Sequence, residues 1–113
     1  MPRRGSGHSA ERRAVWHYRL RGYRILALNA WAGGNELDLV VRRGRRLAFV
    51  EVKEKAAADL GDPLEMVGPE KQRRLRRAAE AWLAANPELG DLEATFEVVA
   101  VRPDGVERVA QAF

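Results

Sequence analysis

Apolar and polar residues alternate along the middle of this chain and fall at helical spacing on either side of it, which predicts a sheet flanked by helices. Residues 10–21 read as a helix, with Ala14, Val15, Trp16 and Tyr18 near one side and Gly22 as its stop. Residues 23–28 then read as a strand. Residues 36–42 and 46–53 read as a hairpin in which Leu37, Leu39 and Val41, with Ala48, Val50 and Val52, supply one buried face. Gly68-Pro69 opens a second helix whose stripe, Leu75, Ala78, Ala79, Trp82 and Leu83, has helical spacing, and Asn86-Pro87 closes it. Residues 94–101 read as a fourth strand, and Pro103-Asp104-Gly105 turns the chain toward a short final strand over residues 106–110. The expected class is α/β, in the order α-β-β-β-α-β.

Length and composition fit one domain with one core: 113 residues, 46% of them hydrophobic. Residues 1–8, rich in Gly, Pro, Ser and Arg, offer little to bury and are expected to form a flexible basic tail ahead of a single domain over residues 9–113. No apolar run approaches the ~18 residues a membrane span needs, and the N-terminus lacks a secretory apolar segment, so a cytoplasmic protein is expected. The absence of cysteine excludes disulfides, thiolate zinc sites and cysteine nucleophiles. His8 and His17 make a poor transition-metal set. Any metal is therefore expected on oxygen.

The hairpin carries the candidate chemistry. Gly44-Arg45 suits the two central positions of a type II′ turn, which pairs Arg43 with Arg46, and by extension Asp38 with Glu51 and Glu36 with Lys53. Directly opposed carboxylates destabilise a sheet, so this register asks for a compensating cation. Mg²⁺ prefers hard oxygen ligands and commonly takes one or two protein carboxylates, leaving other positions to water and phosphate. Asp38 and Glu51 meet that demand. Lys53, on the same face as Glu51, could orient water or stabilise charge developing on a phosphate, and Glu36 could hold Lys53 from behind the ligands.

Charge points to a polyanion. Twenty basic against 16 acidic residues give +4 and a pI near 10.1. The arginines cluster, and Arg12, Arg13, Arg73, Arg74 and Arg77, together with Lys71, are the expected nucleic-acid contacts. Lys71 stands in the first turn of its helix, where the helix dipole disfavours a cation; a phosphate contact would explain it. Such arginine-lined helices are also ordinary solvated faces. Among the tryptophans, Trp31, expected in a loop over residues 30–35, is the best candidate to stack on a base, whereas Trp16 and Trp82 fit core or interface positions better. Residues 54–67, interrupted by Gly61-Asp62-Pro63, could close over a bound strand.

Asp38 followed by Glu51-Val52-Lys53 resembles the PD-(D/E)XK signature of restriction endonuclease-like enzymes. The whole chain is similar to the YraN-like family of uncharacterised bacterial proteins. The matching pieces are Glu11 with Ala14, Gly22-Tyr23-Arg24-Ile25-Leu26 with Asn29, Gly34 before Glu36-Leu37-Asp38-Leu39-Val40, Phe49-Val50-Glu51-Val52-Lys53, Lys71, and Phe96-Glu97-Val98-Val99. They span roughly residues 7–101. In two places the chain departs from the pattern: Asn35 separates Gly34 from Glu36, and Glu97 stands where an aspartate is usual.

The resemblance implies a restriction endonuclease-like three-layer core, a mixed sheet with helices packed on it. It also implies nucleic-acid binding and a Mg²⁺ or Mn²⁺ site formed by Asp38, Glu51 and the Val52 backbone carbonyl, with Lys53 catalytic. Glu11 could fill the role of the first-helix glutamate that related junction-resolving nucleases use. Three readings stay open: a metal-dependent nuclease acting on DNA, including branched or damaged DNA; a non-catalytic nucleic-acid-binding protein of the same fold; and an interaction module whose basic surface meets an acidic protein. DNA is favoured over RNA as partner, and a symmetric homodimer is compatible with cutting two strands.

Overall fold

Long apolar runs rather than strict alternation mark strands buried on both faces, and Leu39-Val40-Val41, residues 47–50 and residues 98–101 form the middle of the sheet. A computed structural model describes residues 5–55, 67–110 and 112–113. Helix α1 (Gly5–Arg19) leads into strands β1 (Arg24–Ala32), β2 (Asn35–Arg43) and β3 (Arg46–Glu54). Helix α2 (Pro69–Ala85) precedes a short 3₁₀ turn (Pro87–Leu89), and β4 (Glu93–Arg102) and β5 (Gly105–Val109) follow. The five strands lie in chain order, antiparallel except for β3 beside β4, which run parallel with α2 between them in sequence. The three-layer α/β class is thus as expected, with a mixed sheet.

Each helix covers one face. Ala10, Ala14, Val15 and Tyr18 of α1 pack on Leu39, Val41, Ala48, Val50, Val99 and Val101. On the other side, Leu75, Ala78, Ala79 and Trp82 of α2 pack on Leu37, Val40, Leu47, Phe49 and Val98. Each fully buried Leu or Val contributes about 1.5–3 kcal/mol, so these two interfaces fix both helices relative to the sheet. No helix among the described residues is long and apolar enough to cross a membrane.

Several local expectations change. The single buried hairpin face does not hold: Leu37 packs under α2 while Leu39 packs under α1, and Val52 is only partly buried. Helix α1 begins at Gly5, inside the segment expected to be a loose tail; Met1–Arg4 lie outside the described residues. Trp16 is 56% exposed instead of joining the apolar side of α1. Strand β1 continues to Ala32 and forms a second hairpin with β2 through Gly33-Gly34, whose φ angles of +58° and +76° suit residues without a Cβ. Trp31 therefore stands on a strand, 74% exposed, and not in a loop. Residues 56–66, which hold most of the segment expected to close over a substrate, lie outside the described residues.

Candidate active site

Asp38 sits just past the point where the registered pairing of β2 with β3 ends. Toward β3 the ladder runs from Arg43 opposite Arg46 to Leu39 opposite Val50, in the register that the Gly44-Arg45 turn predicts. Gly44 has φ +61°, and Arg45 is not among the positive-φ residues, as a type II′ turn requires. The next step would oppose Asp38 to Glu51 and a further two would oppose Glu36 to Lys53, but no such pairs form. Instead the Val52 amide donates a 2.9 Å hydrogen bond to Asp38 Oδ2. Toward β1, Leu28 pairs with Leu39 and Ala30 with Leu37, and between these pairs Asn29, at φ +54°, stands beside Asp38. The switch of Leu37 to the α2 face occurs at the same point.

This irregularity decides the electrostatics. Asp38 is pushed up from an ordinary carboxylate value to about 7, first by burial and then by the Glu51 carboxylate. The Val52 amide opposes that rise, while the negative charges of Glu36 and Glu11 add to it. Glu51 is buried, at 4% exposure, and its Oε2 lies 3.4 Å from both Lys53 Nζ and Lys71 Nζ. Lys53 comes from β3, two residues beyond Glu51; Lys71 comes from the first turn of α2. A small cleft of about 100 Å³ opens here, lined by Asn35, Glu36, Asp38, Lys71, Arg74 and Leu75.

A buried and a partly buried carboxylate that repel one another are a donor set that a divalent cation relieves. A strand residue's N–H and C=O face the same edge, so the Val52 carbonyl looks into the same gap as the amide that Asp38 accepts. Two carboxylates and a carbonyl fit a Mg²⁺ or Mn²⁺ that keeps water or phosphate in its remaining positions. Among the described residues, no three His, Cys, Asp or Glu side chains form a group that could hold a metal. Glu11 accepts a 3.2 Å hydrogen bond from Asn29 Nδ2 and borders Asp38 as a charge, without completing a three-carboxylate cage.

The expected nucleic-acid contacts divide. Lys71 and Arg74 reach the cleft, and Arg12 lies exposed on α1 next to Glu11. Arg13 turns away, donating to the Arg102 carbonyl at 2.7 Å. Arg73 is exposed and pairs with Glu70 at 2.8 Å, and Arg77 is exposed on α2. The direct link from Lys71 to Glu51 was not read from the sequence. Its signal was present, since a lysine in a helix's first turn needs a nearby anion, but the anion is a carboxylate of this chain. Asn29 was noted only as part of a motif; its left-handed backbone and its bond to Glu11 join α1 to the gap beside Asp38.

Comparison with known sequences agrees with the motif set. A UPF0102 protein of Rhodopseudomonas palustris (strain BisB18) is 45% identical over 103 residues, covering 91% of this chain and 75% of the relative. One from Bradyrhizobium diazoefficiens is 41% identical over 103 residues, with 91% and 76% covered. Another from Parvibaculum lavamentivorans is 45% identical over 97 residues, with 86% and 71% covered. The pattern described as Uncharacterised protein family UPF0102 matches residues 10–101, which takes in Glu11, Asp38, Glu51, Lys53 and Lys71, and the chain belongs to that family.

Proposed function

We propose that this protein is a Mg²⁺- or Mn²⁺-dependent nuclease that hydrolyses phosphodiester bonds in DNA, including branched or damaged DNA. One observation carries the reading: Asp38, raised to about 7 by burial and by the neighbouring Glu51, lines a small cleft where the β2–β3 ladder ends, and two lysines hold that Glu51. Asp38, Glu51 and the Val52 carbonyl would hold the ion. The chemistry such an ion supplies is Lewis-acid polarisation of a phosphoryl oxygen and acidification of water.

The chain's own groups do the rest. Lys53, whose Nζ lies 3.4 Å from Glu51 Oε2, would stabilise negative charge as it develops on the phosphate and orient the attacking water. Lys71 holds the same Glu51 oxygen from α2 and, with Arg74, gives the cleft a cationic wall for the phosphates flanking the bond to be cut. Glu36 lines the cleft opposite these cations and adds to the field at Asp38.

The test is calorimetric titration of Mn²⁺ into the wild type and Asp38→Ala, with the same samples then assayed on labelled duplex, branched and single-stranded DNA. Metal binding and cleavage that disappear together in the variant support the nuclease. DNA binding with a steep salt dependence but no metal-dependent cleavage would replace it with a non-catalytic nucleic-acid-binding protein of the same fold. Failure to bind DNA or RNA at low salt would leave the interaction module.

A further inference from the structure

Resting on the nuclease reading, we infer that the groove between α1 and β1 is a subsite for an unpaired nucleotide of the DNA substrate, beside the bond to be cut. Trp16, Arg12 and Arg19 of α1 and Leu28 and Asn29 of β1 line this groove of about 320 Å³. Arg12, Trp16 and Arg19 are spaced i, i+4, i+7, so one helix face presents an indole with a cation on either side along the axis. The Arg19 guanidinium lies 5.7 Å from the Trp16 ring centroid. Across the groove stands Leu28, and both apolar walls face solvent, Trp16 at 56% and Leu28 at 49% exposure.

Flat apolar surface bracketed by arginines matches one chemistry: a base for the indole and leucine, and its two neighbouring phosphates for the guanidiniums. The size is that of a small-ligand pocket. A base still stacked in a duplex cannot enter a groove of this kind; an unpaired one can. The groove also leads to the site. Asn29 lines it, donates to Glu11 at 3.2 Å, and sits in β1 beside Asp38, between the Leu28–Leu39 and Ala30–Leu37 pairs. A strand lying across Asp38 would thus place a nearby unpaired nucleotide against Trp16. The substrate this selects has a single-stranded segment next to the cleavage point, as at a flap, gap or branch.

The experiment measures binding by fluorescence anisotropy in EDTA, so that its outcome does not depend on cleavage. The probes are a blunt DNA duplex, the same duplex with a thymidine flank, and the same duplex with a uridine RNA flank. The wild type is expected to prefer the thymidine-flanked duplex over the blunt one by at least about fivefold, the scale of one base stacked on an aromatic ring. Trp16→Ala and, from the opposite wall, Leu28→Ala should each lose most of that preference, and Trp16→Phe should keep it. Both positions are about half exposed, so native melting curves are expected for the variants. The inference is overturned if the wild type shows no flank preference, if both alanine variants keep it, or if the RNA flank binds as well as DNA. It is equally overturned if light scattering finds a dimer that Trp16→Ala dissociates with the flank preference intact, which would make the groove a subunit interface. Flank preference without any metal-dependent cleavage would instead defeat the nuclease reading and leave this subsite standing.

Discussion

The Val52 amide donates to Asp38 Oδ2 at 2.9 Å in the place where a β2 carbonyl would sit if the hairpin ladder continued. One side chain thereby satisfies a strand's backbone, and burial first and the Glu51 carboxylate second raise it to about 7. The unfolded chain has no such neighbour, so its Asp38 titrates near 3.8. Below that pH both states hold the proton. Between about pH 4 and pH 7 the unfolded state releases the proton that the folded state keeps, so stability falls as pH rises. Above about 7 the cost is complete, roughly 1–3 kcal/mol once partial hydration of the carboxyl is allowed for. Asp38→Asn keeps an acceptor for Val52 and should abolish this slope, making the variant the more stable protein at pH 8 without metal. Denaturant titrations from pH 4 to pH 8 read the difference. His17, lowered by burial and by Arg21 and Arg108, destabilises the fold in the opposite direction, as pH falls through 6.5; it cancels in the wild-type-minus-variant comparison.

A cation competing with that proton has a measurable signature. Mn²⁺ affinity should rise by up to tenfold per pH unit between pH 5 and about 7 and then level off, because binding must displace the Asp38 proton. Calorimetry in buffers of different ionisation enthalpy checks both the slope and the released proton. A pH-independent affinity would rule out Asp38 as a ligand of the proposed ion.

Lys53 and Lys71 share one Glu51 oxygen at 3.4 Å but approach it from different elements, so their removal should differ in kind. On the proposed activity, Lys53→Met should lower single-turnover cleavage by about 100-fold or more, the loss expected for a group stabilising transition-state charge. Lys71→Met should weaken DNA binding and slow cleavage by no more than about tenfold, since Lys53 still neutralises Glu51. Equal losses at both positions would make the two lysines one functional unit.

The turn at Gly44 fixed the β2–β3 register, and the apolar stripe of α2 was read correctly because its helix packs on a single face. The local geometry around Asp38 was not legible. Alternation assumes an unbroken ladder, whereas Asn29, a residue type that tolerates the left-handed region, adopts φ +54° in mid-strand and Leu37 changes faces, and neither event shows in the alternation itself. Hydrophobicity alone ranks Trp16 with Ala14 and Tyr18 on the apolar side of α1, but the sheet beneath α1 is already filled by Ala10, Ala14, Val15 and Tyr18. Glu97, read as part of the last motif, lies wholly buried, far in the sheet order from the β1–β2 hairpin and held by Tyr18 and Arg108.

That buried carboxylate gives a stability prediction independent of function. Tyr18 donates to Glu97 Oε1 at 2.6 Å, and Arg108 grips both oxygens at 2.8 and 3.1 Å, closing β5 and α1 onto β4. Burial and the adjoining carboxylate push the Tyr18 hydroxyl far above its usual range, so it remains a donor at any working pH. Arg108→Ala leaves a fully buried negative charge without its cation and should cost about 3–5 kcal/mol. Pairing Arg108→Met with Glu97→Gln removes both charges and should recover at least half of that loss. Urea denaturation of the single and double variants measures it, and additive losses would mean that the ion pair is not coupled.

Gly33 and Gly34 are neighbours in one turn and both have positive φ, yet only Gly33 touches a helix. A Cβ built on Gly33 would meet the Arg77 carbonyl oxygen at 2.9 Å, with Ala81 Cβ at 3.2 Å and Ala78 Cα at 3.3 Å; one on Gly34 meets nothing within 4 Å. Backbone strain is therefore common to the two substitutions and the clash is not. Gly34→Ala should cost about 1 kcal/mol, the ordinary penalty for an alanine at positive φ. Gly33→Ala must also push the β1–β2 turn off α2 and should cost about 2–4 kcal/mol. That same displacement would separate Asn35, Glu36 and Asp38 on β2 from Lys71 and Arg74 on α2, the two walls of the cleft. On the proposed activity, metal-dependent cleavage should accordingly fall in Gly33→Ala even at temperatures where the variant is fully folded, and persist in Gly34→Ala. Equal melting temperatures for the two variants would show that α2 does not rest on this turn.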